Sequence, residues 1–350
     1  MDKLRIGFVG VGGMGQCAHL RNYVTLPDCE VVALAEIREG LGKLVGERYG
    51  VPHVYKTHEE MLAKESLDGI VASQQFCIHG ALVPELLASG VPVFTEKPLA
   101  GSVEMGAKIV KAVEDSDNWV MVGYHKRSDP ASMYAKAEID RLKSSGELGK
   151  LKYVRILMPA GDWTAQGFSV LIQSDEPYPP IEWDPAPSDM DTATYEAYVS
   201  FVNYYIHQVN FMRYLLGEDY RVSYADPSGV LLVSESDSGV PGVIEMTPYQ
   251  TTIDWQESAL VAFENGWIKL NLPAPVAYNR PGTVEIFRDP GNGVVPETVV
   301  PQMPWIHAMK QQATNFLSAI RGEMAPMCVA QDALKDLQVA RDYIRLVRNG

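Results

Sequence analysis

The first third of the chain alternates short, almost wholly apolar runs with longer stretches whose apolar residues recur at helical spacing. The runs at 4–9, 30–35, 69–72, 92–95 and 120–122 predict strands, and 13–26, 79–89 and 102–114 predict helices. A strand apolar at successive positions is covered on both faces, as parallel strands between helical layers are. Repeated strand–helix alternation of this length predicts βαβ units in a doubly wound sheet.

The rhythm changes after Gly123. Asp129-Pro130 supplies an N-cap and a proline at the first helical position, so a helix is expected from there toward Gly146. A strand at 151–158 precedes a long connection containing Tyr178-Pro179-Pro180 and Asp184-Pro185-Ala186-Pro187. Residues 193–216 keep apolar side chains at helical spacing and stop at Gly217, predicting one continuous helix. Strands without intervening helices follow at 229–233, 242–246, 259–263, 267–272 and 283–287. Asn265-Gly266 predicts a type I′ hairpin, because both residues tolerate positive φ. Helices at 307–321 and 331–347 close the chain.

These patterns predict an α/β Rossmann domain over 1–125. Over 126–350 they predict an α+β domain, a mostly antiparallel open sheet with helices on one face, whose closing helices can pack back on the first domain. An open sheet commonly buries its free face against a copy of itself, so a homodimer or homotetramer is expected.

Composition narrows the partners. The net charge of −14 and the lack of a long basic run exclude a phosphate-neutralising nucleic-acid face. No stretch reaches the ~18 apolar residues of a membrane helix, and the N-terminus lacks a signal-peptide pattern. The four cysteines (Cys17, Cys29, Cys77, Cys328) lack metal-ligand spacing and read as reduced core thiols of a cytoplasmic protein; no metal site is expected.

Gly10-Val11-Gly12-Gly13-Met14-Gly15 follows the first strand directly and opens the first helix. Gly10 permits the tight turn, Gly12 lets backbone approach a pyrophosphate, and Gly15 allows close helix–strand packing. Strand before, helix after and an acid ending the second strand together indicate a dinucleotide site. That acid, Glu36, suits the adenine ribose hydroxyls and repels a 2′-phosphate, favouring NAD over NADP. Nearby Arg38 could still accommodate a phosphate.

Thr95-Glu96-Lys97-Pro98-Leu99-Ala100 closes a later strand of the same sheet. With the glycine motif, and with Gly123-Tyr124-His125-Lys126-Arg127 after the last parallel strand, it resembles the glucose–fructose oxidoreductase/inositol dehydrogenase family. The resemblance spans nearly the whole chain. It departs at Ser73-Gln74-Gln75, where that family carries a Thr-Pro-Asn-type sequence. It implies cofactor contacts from Ser73, Gln74, His79, Glu96 and Lys97, and substrate contacts from Tyr124, His125 and Arg127. It also implies that Lys97 lies beside the nicotinamide and the reacting hydroxyl, with a cis bond to Pro98. An ammonium there can stabilise a developing alkoxide.

The resemblance further implies an Asp-x-x-x-His pair, matched here by Asn203 and His207. Spacings of four and three put Asn203, His207 and Asn210 on one helical stripe. His207 is then the proton acceptor and Asn203 a substrate ligand that cannot stabilise an imidazolium by charge. Asp162, Asp189 and Asp191 are the acids that could substitute. Trp163 and residues 177–187 suit either the wall of a sugar site or, preferred here, an oligomer contact.

The function expected is hydride transfer between NAD(P) and a secondary hydroxyl of a sugar, cyclitol or glycoside. Two alternatives stand beside it. One is an enzyme whose tightly bound NAD is recycled during elimination, epimerisation or glycoside cleavage. The other is a non-catalytic NAD- or sugar-sensing regulator, since fold alone does not fix function.

Overall fold

The computed structural model describes residues 2–349 and divides into two compact units. The first comprises Met1–Tyr124, Gln166–Tyr195 and Met309–Leu337; the second comprises His125–Ala165, Glu196–Ala308 and Gln338–Gly350. Met1 and Gly350, the outer ends of the two domains expected from sequence, lie outside the described residues.

In the first unit, β1 (Leu4–Val9), β2 (Cys29–Ala35), β3 (His53–Tyr55), β4 (Gly69–Ala72), β5 (Val93–Thr95) and β6 (Val120–Val122) form a parallel sheet. The order β3-β2-β1-β4-β5-β6 is that of a Rossmann fold. Its core joins Phe8, Leu34, Val71 and Phe94 to Phe316 and Leu317 of the helix Ala308–Ile320. Phe94 and Phe316 meet edge to face with centroids 5.8 Å apart, a favourable aromatic geometry.

In the second unit, β7 (Leu151–Ala160), β8 (Tyr220–Ala225), β9 (Leu231–Ser236), β10 (Pro241–Gln250), β11 (Glu257–Phe263), β12 (Gly266–Leu272), β13 (Thr283–Arg288) and β14 (Glu297–Val299) form a sheet ordered β14-β13-β12-β11-β7-β10-β9-β8. All its pairings are antiparallel except β7 with β10. Burial alternates along β11, with Glu257, Ala259, Val261 and Phe263 inward. The helix Ile206–Leu216 packs on β7 and β10, and the helix Pro130–Ser145 on β12 and β13. Asp129 caps the latter by accepting from the Ala131 N–H at 2.8 Å.

Three expectations change. The stretch 193–216 is two helices, Thr192–Tyr204 and Ile206–Leu216, broken at Tyr205. Aromatic and β-branched residues at Tyr204-Tyr205-Ile206 propagate a helix weakly, and at the break the Tyr205 hydroxyl bonds Thr247 Oγ1 at 2.5 Å. The β11–β12 turn is Glu264-Asn265, with Phe263 already paired to Gly266 and no positive φ at any of these residues. Gly266 is required for a different reason: a Cβ there would lie 2.3 Å from the Phe287 carbonyl oxygen. Finally, β3, β8 and β14 appear where no strand was predicted. All three have an unpaired edge, where polar side chains face water and no apolar run need form.

All four cysteines are buried thiols outside any disulfide. Among the described residues, no helix is long and apolar enough to cross a membrane.

Candidate active site

The candidate site residues of the first unit stand just past the ends of its strands. Gly10 follows β1, Glu36 β2, Ser73 β4 and Glu96 β5, the carboxyl edge where open α/β sheets bind ligands. Gly10 adopts φ 87°, and a Cβ there would lie 2.4 Å from Gln74 Nε2. A Cβ on Gly15 would lie 2.5 Å from the Gly10 carbonyl oxygen, so strand and helix approach only as glycines. At Gly12 the nearest atom to a Cβ is an Arg38 nitrogen at 3.8 Å, leaving that side of the loop open.

The loop opens on a cavity of about 310 Å³ lined by Gly10, Gly12, Gly13, Met14, Gly15, Glu36, Arg38, Ser73, Gln74, Gln75 and Tyr178. Glu36 accepts from the Val11 N–H at 3.1 Å and from Arg38 Nε at 2.8 Å. A glycine cradle that any side chain would fill, ending beside a carboxylate, fits a dinucleotide's pyrophosphate and adenine ribose.

Lys97 is held from behind. Buried Glu96 receives His19 Nε2 at 2.5 Å on one oxygen and the Lys97 N–H at 3.0 Å on the other. Burial pushes the Glu96 carboxyl up, but the His19 hydrogen bond and charge, together with Lys97, outweigh it and hold the group below its usual range. Lys97 itself is half-buried, and its bond to Pro98 is cis. His79 is fully buried: Nδ1 lies 3.2 Å from the Leu99 carbonyl oxygen and Nε2 lies 3.5 Å from Thr95 Oγ1. It supports the turn carrying Lys97 and does not line the cavity.

The proline-rich connection belongs to this unit as a strap. Gln16 and Ile172 exchange two hydrogen bonds of 3.0 Å, and Arg21 donates to the Gly167 carbonyl at 3.2 Å. Glu176 accepts from the Gly40 and Leu41 N–H groups, and Asp184 from the Gly80 N–H at 2.7 Å. Tyr178 lies under the Arg38 guanidinium, 4.8 Å from its ring centroid. The sequence offered no signal for these contacts beyond prolines that stiffen an extended segment.

The second unit carries its own cluster. The His125 and His207 rings meet edge to face with centroids 4.6 Å apart. Lys126 and Glu257 form an ion pair with side chains 4% and 1% exposed. Glu257 also accepts from Gln208 Nε2 at 2.7 Å and Trp255 Nε1 at 3.2 Å, which supplies the partners a buried carboxylate requires. Arg127 is buried too, donating from Nε to Asn210 Oδ1 at 2.7 Å.

The helix break at Tyr205 interrupts the proposed Asn203–His207–Asn210 stripe: Asn203 is exposed, His207 half-buried and Asn210 buried. Of the substitute acids, Asp162 caps a turn through the Thr164 and Ala165 N–H groups, Asp191 caps through the Thr194 N–H, and Asp189 is exposed. The acid this unit buries next to the His207 segment is Glu257. Its sequence signal was an acid in phase with inward-facing Ala259, Val261 and Phe263. Tyr124, the last residue of the first unit's N-terminal stretch, is buried.

Residues 4–124 match the model of an oxidoreductase family with an NAD-binding Rossmann fold. The chain is 25% identical over 258 residues to scyllo-inositol 2-dehydrogenase (NAD(+)) of Bacillus subtilis, covering 69% of this chain and 67% of that one. It is 25% identical over 232 residues to myo-inositol 2-dehydrogenase of Thermotoga maritima, covering 66% of this chain and 60% of that one. A solved structure of a putative NADPH-dependent oxidoreductase from Desulfitobacterium hafniense shares the fold at TM-score 0.76 and 15% identity, covering 99% of this chain and 96% of that one. With the glycine cradle, Glu36 and the Glu96-Lys97-Pro98 turn in place, residues 4–124 carry the NAD-binding Rossmann fold of that oxidoreductase family, and the chain is similar to inositol dehydrogenases.

Proposed function

We propose that the protein is an NAD-dependent dehydrogenase acting on a secondary hydroxyl of a cyclitol, sugar or glycoside. The observation that carries this reading is the buried His19–Glu96 pair, which fixes the Lys97 backbone just past β5. NAD, when bound, supplies the hydride acceptor. Lys97 donates a hydrogen bond to the reacting oxygen and stabilises its developing negative charge. His207 removes the hydroxyl proton, with His125 against its ring and Asn203 among the substrate ligands. Product analysis by mass spectrometry, after incubation with NAD and a panel of cyclitols, aldoses and glycosides, tests it. A product lacking two hydrogens supports the reading; an unchanged panel with cofactor bound overturns it.

A second reading is favoured by the strap. A segment fastened to the nucleotide-binding unit by Gln16, Glu176 and Asp184 suits an enzyme that retains and recycles its cofactor. Stoichiometric NAD released on denaturing the purified protein, with epimerised or cleaved product, would favour it over net oxidation. The half-exposed face of the eight-stranded sheet is the surface we assign to a homodimer or homotetramer; a monomer by light scattering at micromolar concentration would remove that assignment.

A further inference from the structure

The helix Glu39–Tyr49 begins three residues after Glu36, at the adenosine end of the cavity. Its first turn presents N–H groups that have no partner within the helix, backed by a partial positive charge. In this protein an anion already holds them. Glu176 Oε1 accepts from the Gly40 N–H at 3.0 Å and Oε2 from the Leu41 N–H at 2.9 Å, while Ser174 Oγ donates to Oε2 at 3.2 Å. The fit is built into the sequence on both sides: a Cβ on Gly40 would lie 2.8 Å from Glu176 Oε2.

The other group able to receive a phosphate here is Arg38, the residue type that accommodates the 2′-phosphate of NADP at this position of a Rossmann fold. It is committed as well. Its Nε donates to Glu36 Oε1 at 2.8 Å, and its guanidinium lies 4.8 Å from the centroid of Tyr178, two residues beyond Glu176. Both features that would attract a 2′-phosphate, an arginine and a helix N-terminus, are therefore occupied by carboxylates of the chain itself.

We propose that Glu176 fills the anion site a 2′-phosphate would use, making it a second determinant, with Glu36, of the choice of NAD over NADP. Glu36 acts on the ribose by hydrogen bonding and repulsion. Glu176 acts by prior occupation: a phosphate carrying about −1.5 to −2 charges would have to displace it or sit beside it. The inference rests on dinucleotide binding by the first unit and not on the reaction proposed above.

The test is titration of NADH and NADPH, without substrate, into wild type, Glu176→Gln, Glu36→Gln and the double variant. Nicotinamide fluorescence or calorimetry reads the two dissociation constants. Glu176→Gln keeps the side chain's size and one acceptor but removes its charge. It should tighten NADPH about tenfold while NADH stays within about twofold, with the gain shrinking at high salt. The double variant should shift the ratio further than either single change. An unchanged NADPH-to-NADH ratio in Glu176→Gln, or equal weakening of both nucleotides, would show that Glu176 only fastens the strap and would overturn the proposal.

Gly40→Ala supplies an independent arm. It pushes the carboxylate off the helix without deleting it, and should weaken the preference for NADH in the same direction if Glu176→Gln is too unstable to titrate. Failure of wild type to bind either nucleotide would remove the inference together with the dinucleotide site. Failure to oxidise any hydroxyl would leave it standing.

Discussion

The two sheets hold polar chemistry at different places. In the six-stranded parallel sheet both faces are covered, and Gly10, Glu36, Ser73 and Glu96 stand beyond the last residue of their strands. In the eight-stranded sheet one face is half-exposed, and Glu257 stands on a strand, turned inward among Ala259, Val261 and Phe263. A parallel strand buried on both sides has no position for a charge except its end. An alternating strand can carry one on its inner face if Lys126, Gln208 and Trp255 are there to receive it. Loop backbone dominates the first site, and partnered side chains dominate the second.

That contrast can be broken experimentally. The largest expected effect is on turnover: Lys97→Met and His207→Asn should each cost about 10²- to 10⁴-fold in kcat. NADH affinity should stay within a few-fold in both, and full turnover in either variant would remove that residue from the mechanism. Next, Phe316→Ala should destabilise the first unit by about 3–5 kcal/mol through the cavity left against Phe94. Hydrogen exchange should show the loss concentrated in β1, β4 and β5. A loss spread evenly over both sheets would mean the units unfold as one.

Glu257→Leu should cost a similar or slightly smaller amount, about 3–5 kcal/mol, because it leaves the Lys126 charge buried without its partner. Adding Lys126→Met should restore most of that stability but not activity, if the pair serves the His207 segment. Restoration of both would mark the pair as structural only.

The smallest effects are in pH. Burial pushes Asp129 in the second unit up to about 6, against hydrogen bonds from Ala131 and Gly282 that lower it. Its folded pKa lies above the unfolded value of ~3.9, so the folded state binds more protons between them. Stability from this group is then present below about pH 4 and lost as pH rises through about 6. Glu96 in the first unit is shifted the other way, so its contribution is present above the unfolded pKa and lost as pH falls through the folded one. Asp129→Asn should flatten the decline between pH 4 and 6 in equilibrium urea titrations. An unaltered slope would show that the solvent reaches this carboxyl.

Much of the first site was legible because its residues are close in sequence and obey backbone rules. A glycine loop between strand and helix has few meanings, and Glu96-Lys97-Pro98 follows β5 directly. The break at Tyr205 was not legible: apolar spacing continues through 193–216, and tertiary packing decides where the helix stops. Gly266 was recognised as special for the wrong reason, since the constraint is the Phe287 carbonyl on the next strand. Lys126 and Glu257 are distant in sequence, so neither announces the other. Nor does any pattern in 166–195 reveal that its carboxylates cap helices of the first unit.

The first unit is drawn from three stretches of chain, the last ending at Leu337. A growing polypeptide therefore cannot complete it before Leu337 has been made. Until then Phe94 and Trp119 lack the cover that Phe316 gives them. Closing so long a loop costs little more than closing a short one, because the entropy grows only with the logarithm of length. The waiting time is what exposes the chain to wrong contacts. A fragment cut at residue 124 would keep every glycine of the nucleotide loop and still lack the helix whose Phe316 covers Phe94 and Trp119.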